Sequence, residues 1–215
     1  MKRLLTKRFF TRLAGLLVGL AVLGAGVLAI YAWILLPQID RWGATDAEIA
    51  AAYPGDELVG APLEVVNRAV TINAPPEKIY PWLLQLGADR GGLYSYDVLE
   101  KMANCPITNA DRIHPEWQNV KVGDLVKLCP KEPGPPPYIV ASLMPNRSLV
   151  LGHQDSHGGW AEEWEFNLLP QPDGTTRLVT RTRTTAVGGF WTVLHPITFV
   201  MERGMLLGVK ARAEK

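Results

Sequence analysis

A run of 24 residues without a charged side chain, Leu13–Leu36, constrains this chain more than any other feature. As a helix of about 1.5 Å per residue it would reach about 36 Å, against a hydrocarbon core of about 30 Å in a bilayer. The run has no polar face, which disfavours a buried core helix. A cleaved signal peptide is the alternative, but the run is longer than the apolar part of such peptides. We therefore predict an uncleaved transmembrane helix.

The charges on either side of this helix predict its orientation. Residues 1–12 contain basic side chains and no acidic one. In the connector at residues 37–61, every charged side chain is acidic except that of Arg41. Basic flanks stay on the cytoplasmic side of a membrane. We expect residues 1–12 to form a basic cytoplasmic tail, and residues 62–215 to form a domain outside the cytoplasm. The predicted location is the cell membrane, with a single pass.

Overall charge and cysteine content exclude several other classes. The chain has 22 Lys and Arg against 21 Asp and Glu, so it has no global basic field for nucleic acid. Two cysteines, Cys105 and Cys129, are too few for a disulfide-rich scaffold. On the oxidising side of a membrane they are able to form one bridge, and two unpaired thiols are the alternative. The motifs of nucleotide-binding loops, serine hydrolases and zinc proteases are absent, and we predict no cofactor and no metal.

The remaining sequence alternates between short strands and helices. Residues 64–73 read as a strand, 76–86 and 95–103 as short helices with Ser95 as the N-cap of the second, and 104–124 as a long irregular loop. Further strands are predicted at 125–128, 138–144, 148–153, 159–169 and 176–185. The last element, residues 190–215, has the spacing of a long helix, with Met201, Gly204, Met205 and Gly208 on its apolar face and Glu202 toward water. Because a sheet must cover its apolar face, this helix is its expected partner.

Four segments carry a resemblance to a known superfamily. They are AVTINAPPEKIYPWLLQLG at 69–87, RGGLYSYDVLEKM at 90–102, NADRIHPEWQNVKVGD at 109–124 and FVMERGMLLGVKARAE at 199–214. Together with the order of elements, they resemble the START-like superfamily, also called SRPBCC, which includes polyketide cyclase/dehydrase and lipid-transport types. The resemblance covers residues 62–214 and implies an α+β helix-grip fold: a curved antiparallel β-sheet wrapped around a long C-terminal helix. It also implies an apolar cavity between the two, but it transfers no catalytic residue.

Alternation along residues 160–168 places Trp160, Trp164, Phe166 and Leu168 on the face that should meet the helix. Two indole rings opposite Gly204 and Gly208 would leave a hollow for a ligand. The alternative is that the two glycines simply allow closer packing. The predicted ligand-binding residues are Tyr94, Tyr96, His114, Trp117, Trp160, Trp164, Met201 and Met205.

Two polar patterns have competing interpretations. Arg181 and Arg183 are expected to face away from the helix and to pair with Glu163 and Glu165 in a surface ladder. The alternative turns both arginines inward, to hold an acidic headgroup. His153, Asp155 and His157 are of the types that bind divalent metals, but the glycines around them predict a flexible loop.

These observations predict a membrane-anchored module that binds a hydrophobic small molecule or lipid. A cyclase or dehydrase type of enzyme is an alternative, with His114 and either Asp111 or Glu116 in acid–base roles. A structural or interaction protein with a filled core is a third reading. The partners expected are therefore a hydrophobic molecule and the membrane.

Overall fold

The computed structural model describes residues 2–185, 188 and 190–215, and the chain divides into two compact units. The described residues of the first unit, Met1–Ile39, are helical. Helix α1 spans Lys2–Ile30, a π-helical stretch spans Tyr31–Leu35, and helix α2 spans Leu36–Asp40. The run Gly15–Asp40 has a mean hydropathy of 2.3 and is long and apolar enough to cross a membrane. Met1 and the side chains of the predicted basic tail lie outside the described residues.

The second unit, Asp40–Lys215, contains an antiparallel six-stranded sheet and a long C-terminal helix. The strand order is β1-β6-β5-β4-β3-β2. The strands are β1 Glu64–Ile72, β2 Leu125–Val126, β3 Tyr138–Met144, β4 Ser148–Gln154, β5 Trp160–Pro170 and β6 Thr176–Thr184. The helices are α3 Asp46–Ala50, α4 Pro76–Leu84, α5 Asp97–Met102 and α6 Phe190–Ala213, with a 3-10 turn at Pro115–Trp117. This arrangement confirms the predicted α+β fold class.

Strand alternation decides which face of the sheet meets α6. In the register of β5 and β6, Phe166 lies opposite Thr180, and Leu168 lies opposite Leu178. Phe166, Leu178 and Leu206 of α6 are fully buried in one hydrophobic core. The even-numbered positions of these two strands therefore face the helix, as the period of two predicts.

Polar contacts fix the C-terminal end of α6. Lys210 Nζ donates a hydrogen bond to the carbonyl of Thr71 at 2.7 Å, and the backbone N–H of Asn73 donates to Glu214 Oε1 at 2.6 Å. The last turn carries Lys210 and Arg212, whose positive charge suits the carbonyl end of a helix.

The start of α5 differs from its prediction. Tyr96, rather than Ser95, occupies the N-cap position, without a side-chain cap. Ser95 Oγ instead donates a hydrogen bond to the carbonyl of Met201 at 2.7 Å. The hydroxyl therefore ties the loop before α5 to α6, a long-range contact that the local sequence does not reveal.

The outer face of the sheet, which points away from α6, is not a solvent-exposed surface. Glu163 lies opposite Arg183, and Glu165 lies opposite Arg181, as expected for outward-facing residues. The inward alternative for the arginines is therefore wrong. However, both glutamates are 0% exposed, because the connector covers them. The expected surface ladder is instead a buried charge cluster.

Cys105 and Cys129 are joined by a disulfide. The bridge closes a loop between residues 24 apart in sequence and so ties the end of α5 to the segment after β2. In this way the fold constrains both ends of the long loop.

Candidate functional site

The two helix glycines face tyrosines rather than the tryptophans of β5. A Cβ atom at Gly208 would lie 2.0 Å from the carbonyl oxygen of Tyr94, and one at Gly204 would lie 2.6 Å from the ring of Tyr96. Real Cβ atoms do not come so close, so Gly208 requires glycine for its contact with backbone, whereas a larger residue at Gly204 would displace the Tyr96 ring. The prediction of a hollow opposite Gly204 and Gly208 is therefore wrong. The two glycines instead allow the loop at Tyr94 and Tyr96 to pack closely against α6.

Tyr94 and Met205 belong to the core. Tyr94 is 3% exposed, and its hydroxyl donates a hydrogen bond to the carbonyl of Trp82 at 3.1 Å. Burial raises the pKa of the Tyr94 phenol. Met205 is 2% exposed in the same core cluster. Neither side chain is open to a ligand in this arrangement.

A polar cluster that the sequence did not predict lies between the sheet and α6. Glu202 accepts hydrogen bonds from Thr180 Oγ1 at 2.7 Å and from Trp164 Nε1 at 3.3 Å, and it also forms an ion pair with Arg68. The side chains of Arg68 and Glu202 are 4% and 11% exposed. The position of Glu202 on the helix predicted that its side chain would point to water. This prediction is wrong, because the carboxylate is enclosed between α6 and the sheet. The sequence feature that could have predicted this cluster is Arg68, a charged residue on the same even-numbered face of β1 as the apolar Val66 and Val70.

Tyr138 forms a second polar group on the same face. Its hydroxyl donates a hydrogen bond to Glu162, and its ring stacks on His153 with 3.8 Å between centroids. Burial and the neighbouring Glu162 raise the pKa of Tyr138 well above its ordinary value. Asp155 accepts hydrogen bonds from the backbone N–H groups of His157 and Gly159. Thus His153 packs against a ring, while Asp155 stabilises its own turn.

Two of the three remaining aromatic candidates are neighbours on the long loop. His114 stacks on Trp117 with 4.2 Å between ring centroids, and its Nδ1 lies 3.1 Å from Glu116 Oε1. Hydrogen bonds from its own backbone N–H and from His114 lower the pKa of Glu116. Trp160 lies apart from them, against Gly152 of β4. The structure therefore does not bring the eight predicted residues into one site.

A concavity of about 280 Å³ adjoins this part of the long loop. Its lining residues are Arg90, Glu116, Trp117, Asn119, Val120, Asp124 and Leu125. Arg90 is held in place because its guanidinium donates a hydrogen bond to the carbonyl of Leu125 at 2.9 Å. The concavity combines one aromatic wall with charges of both signs.

A larger groove, of about 450 Å³, lies between the start of α5 and α6. We call it the α5–α6 groove; its lining residues are Ser95, Tyr96, Asp97, Val98, Leu99 and Val200. Val98 is 70% exposed, while Tyr96 and Val200 are each 40% exposed. Met102 and Ile197 are further exposed apolar residues on the same two helices. Of the predicted ligand-binding residues, Tyr96 lines this groove, and Met201 anchors it through Ser95.

Two groups of side chains have the composition of a metal site. In one, Asp40, Glu64 and His195 have ligand atoms within 4.8 Å of one another, and in the other Asp56, Glu163 and Glu165 do. An arginine adjoins each group: Arg68 lies 4.0 Å from Asp40, and Arg181 lies 2.8 Å from Asp56. Positive charge at these distances opposes a divalent cation, so we assign no metal to either group.

Comparisons with known proteins find only distant similarity to solved structures. The chain matches no family model, and no protein of curated function is significantly similar to it. A crystal structure of a Mesorhizobium loti protein is 17% identical, with 69% of this chain and 95% of that one covered at a TM-score of 0.41. The Aha1 dimer from Colwellia psychrerythraea is 20% identical, with coverages of 71% and 97% and a TM-score of 0.38. A conserved Enterococcus faecalis protein of unknown function is 15% identical, with coverages of 70% and 71% and a TM-score of 0.41. Likeness at this level assigns neither a family nor an activity to this chain.

Proposed function

We propose that this chain is a single-pass membrane protein of the START-like type whose extracytoplasmic domain binds a lipid or another hydrophobic small molecule. The α5–α6 groove is the observation that carries the proposal. It differs from the site that the sequence predicts, because it lies beside α6 rather than between α6 and the sheet. Ligand recognition is therefore assigned to the outer side of the helix.

The chemistry of the groove suits an apolar ligand. Exposed side chains of the size of Val98 and Val200 gain about 25 cal/mol for each Å² that a ligand removes from water. Asp97 is the acidic residue of the lining, and its Oδ1 accepts a hydrogen bond from Asn109 Nδ2 at 2.6 Å. A carboxylate already bound in this way leaves the apolar wall to dominate binding.

The extracytoplasmic location rests on two supports. The first is the charge asymmetry around the apolar run, with basic residues before it and acidic ones after it. The second is the disulfide between Cys105 and Cys129, since such bridges persist in oxidising compartments.

Lipid capture tests this function with two matched variants. The full chain in detergent is exposed to a lipid extract, and co-purifying lipid is quantified by native mass spectrometry. Val98→Asp places a charge in the groove, and Val122→Asp places the same charge at an exposed valine outside its lining. We expect Val98→Asp to lower lipid occupancy about tenfold or more. A tenfold loss of affinity corresponds to a loss of about 1.4 kcal/mol in binding free energy. Equal occupancy in the parent and both variants would refute the proposal.

A second candidate, an enzyme, is favoured by the pairing of His114 with Glu116 beside the 280 Å³ concavity. An imidazole in contact with a carboxylate is able to act as a general base. Asp111, the other candidate acid, is exposed. If a turnover is found, His114→Ala must abolish it, and unchanged turnover in that variant would remove the enzyme reading.

A further inference from the structure

The connector is bound to the outer face of the sheet through Arg181. This guanidinium donates hydrogen bonds to both carboxylate oxygens of Asp56, at 2.9 and 2.8 Å. It also donates to the carbonyls of Glu48, Ile49 and Ala51, at 3.2, 2.8 and 2.9 Å. One strand residue thus holds the end of α3 and the turn after it.

Two glutamates of β5 contact the same part of the connector. The backbone N–H of Val59 donates a hydrogen bond to Glu163 Oε2 at 3.3 Å. A Cβ atom at Gly55 would lie 2.7 Å from the carboxyl carbon of Glu165, so the connector backbone rests directly on that side chain. The carboxyls of Glu163 and Glu165 are therefore enclosed between sheet and connector.

The charges enclosed there do not balance. The groups that adjoin Glu163 and Glu165 are Arg181 and Arg183 from β6, Tyr53 and Asp56 from the connector, and the amide of Asn167. Arg177 and Glu48 lie beyond them as an ion pair that is balanced in itself, and Asn67 bonds Arg181. Two guanidinium groups thus meet three carboxyl groups. Glu163 Oε1 and Glu165 Oε1 are also buried and have no hydrogen-bond partner among the described residues, and the nearest cation to Glu163 Oε1 is Arg183 Nε at 3.5 Å. An uncompensated charge buried in this way is strongly unfavourable.

Protonation of one carboxyl removes this surplus. We propose that Glu163 and Glu165 together retain one proton near neutral pH, and that the loss of this proton as the pH rises releases the connector from the sheet. A proton suits the site better than a metal ion, because Arg183 lies 3.1 Å from Asp56 and 3.5 Å from Glu163.

The directions of the pKa shifts agree with this assignment. Burial, followed by the neighbouring Glu165, raises the pKa of Glu163 to about 8. Burial also raises the pKa of Glu165. Burial would raise the pKa of Asp56 as well, but hydrogen bonds from the backbone N–H of Tyr53 and from Arg181 lower it overall. The proton therefore resides on the glutamate pair, and Asp56 stays ionised.

The sign of the pH dependence follows from this difference. With the connector bound, the pair holds a proton up to a pH of about 8, whereas a glutamate released to water loses it near 4.5. Between these values the bound state carries the extra proton, so the fraction of released connector rises by up to about tenfold per pH unit. The rise ends above about pH 8, where both states have lost the proton.

Hydrogen exchange of residues 45–59 in the full chain in detergent tests the proposal, with rates corrected for the intrinsic effect of pH. Glu165→Gln carries a permanently neutral group of the same shape, and Glu163→Gln is a second variant. Glu57→Gln is the matched control, because Glu57 is an exposed residue of the same connector. The parent and Glu57→Gln should lose protection as the pH rises, while Glu165→Gln and Glu163→Gln should keep it, with less than about a twofold change per pH unit.

Other outcomes would overturn the proposal. One is protection in the parent that does not change between pH 5 and pH 8. This range covers most of the interval between the ordinary pKa of a glutamate and the raised pKa of Glu163. A second is the same loss of protection in Glu165→Gln and Glu163→Gln as in the parent. A third is protection that depends on an added divalent cation and is lost with a chelator. Infrared absorption of a protonated carboxyl, present in the parent at neutral pH and absent in Glu165→Gln, provides a readout independent of connector motion.

Discussion

The ion pair between Arg68 and Glu202 gives a sharp test of how the sheet holds α6. In Glu202→Met, the guanidinium of Arg68 loses the carboxylate of Glu202 in a site where the arginine side chain is 4% exposed. Breaking a buried pair from one side costs about 3–5 kcal/mol. Asp40 lies 4.0 Å from Arg68 and compensates in part, so we expect a loss near the lower limit, about 3 kcal/mol. For a domain of this size, that loss corresponds to a fall in melting temperature of about 6–12 °C.

A double-mutant cycle separates the ion pair from simple packing. In the double variant Arg68→Met with Glu202→Met, both charges are gone and similar volumes are filled, so we expect most of the lost stability to return. Arg41→Met is the control, because its ion pair with Asp46 is exposed and should contribute less than about 1 kcal/mol. The assay is thermal unfolding of the full chain in one detergent, followed by tryptophan fluorescence. A single variant as stable as the parent, or a double variant as unstable as the two single losses added together, would refute this reasoning.

Three further predictions concern packing, the bridge and pH. Gly208→Ala should destabilise the fold by about 1–3 kcal/mol, because the new Cβ would lie 2.0 Å from the backbone oxygen of Tyr94. Gly204→Ala should destabilise the fold less, because its Cβ would meet the ring of Tyr96, which is able to shift. Comparison of the two melting temperatures tests this order. Replacing Cys105 and Cys129 with serine should cost about 3 kcal/mol in denaturant unfolding, and an unchanged midpoint would contradict this. Burial, followed by Asp97, raises the pKa of Glu100 to about 7, so its contribution to stability should fall as the pH rises from 4.5 to about 7. Glu100→Gln should remove that part of the pH dependence, and an unchanged stability profile would count against it.

Local patterns were sufficient to predict the order of the elements and the faces of the strands. The alternation along residues 160–168 placed Phe166 and Leu168 toward the helix, and both are buried there. It also placed Glu163 and Glu165 on the other face, where the strand register sets them opposite Arg183 and Arg181. These predictions depend on a strand period of two, which neighbouring residues determine.

Long-range packing decided what the patterns missed. The connector is polar, with several acidic residues, and its sequence did not indicate that it would cover the sheet. Its arginine partners lie in β6, more than 120 residues further along the chain. For the same reason the ion pair of Arg68 with Glu202 was not found, although a charged residue on the apolar face of β1 was a usable signal.

The position of the groove was also beyond local reasoning. Gly204 and Gly208 allow either a hollow or a close approach, and the choice depends on which segment packs against α6. The segment is the loop at Tyr94 to Tyr96, which fills the space and leaves the α5–α6 groove beside it. The same glycines that predicted an interior cavity therefore lie against a loop whose packing leaves a groove on the outer side of the helix.

Photo-crosslinking of lipid to the full chain tests the central claim most directly. The chain is placed in nanodiscs containing a phospholipid with a photoreactive acyl tail, and the labelled peptides are mapped by mass spectrometry. We expect labels within residues 95–99 and at Val200, in addition to the apolar run at residues 13–36, and we expect the labels at residues 95–99 to be lost in Val98→Asp. Labels confined to residues 13–36, or labels on interior residues such as Phe166 and Leu206, would contradict it.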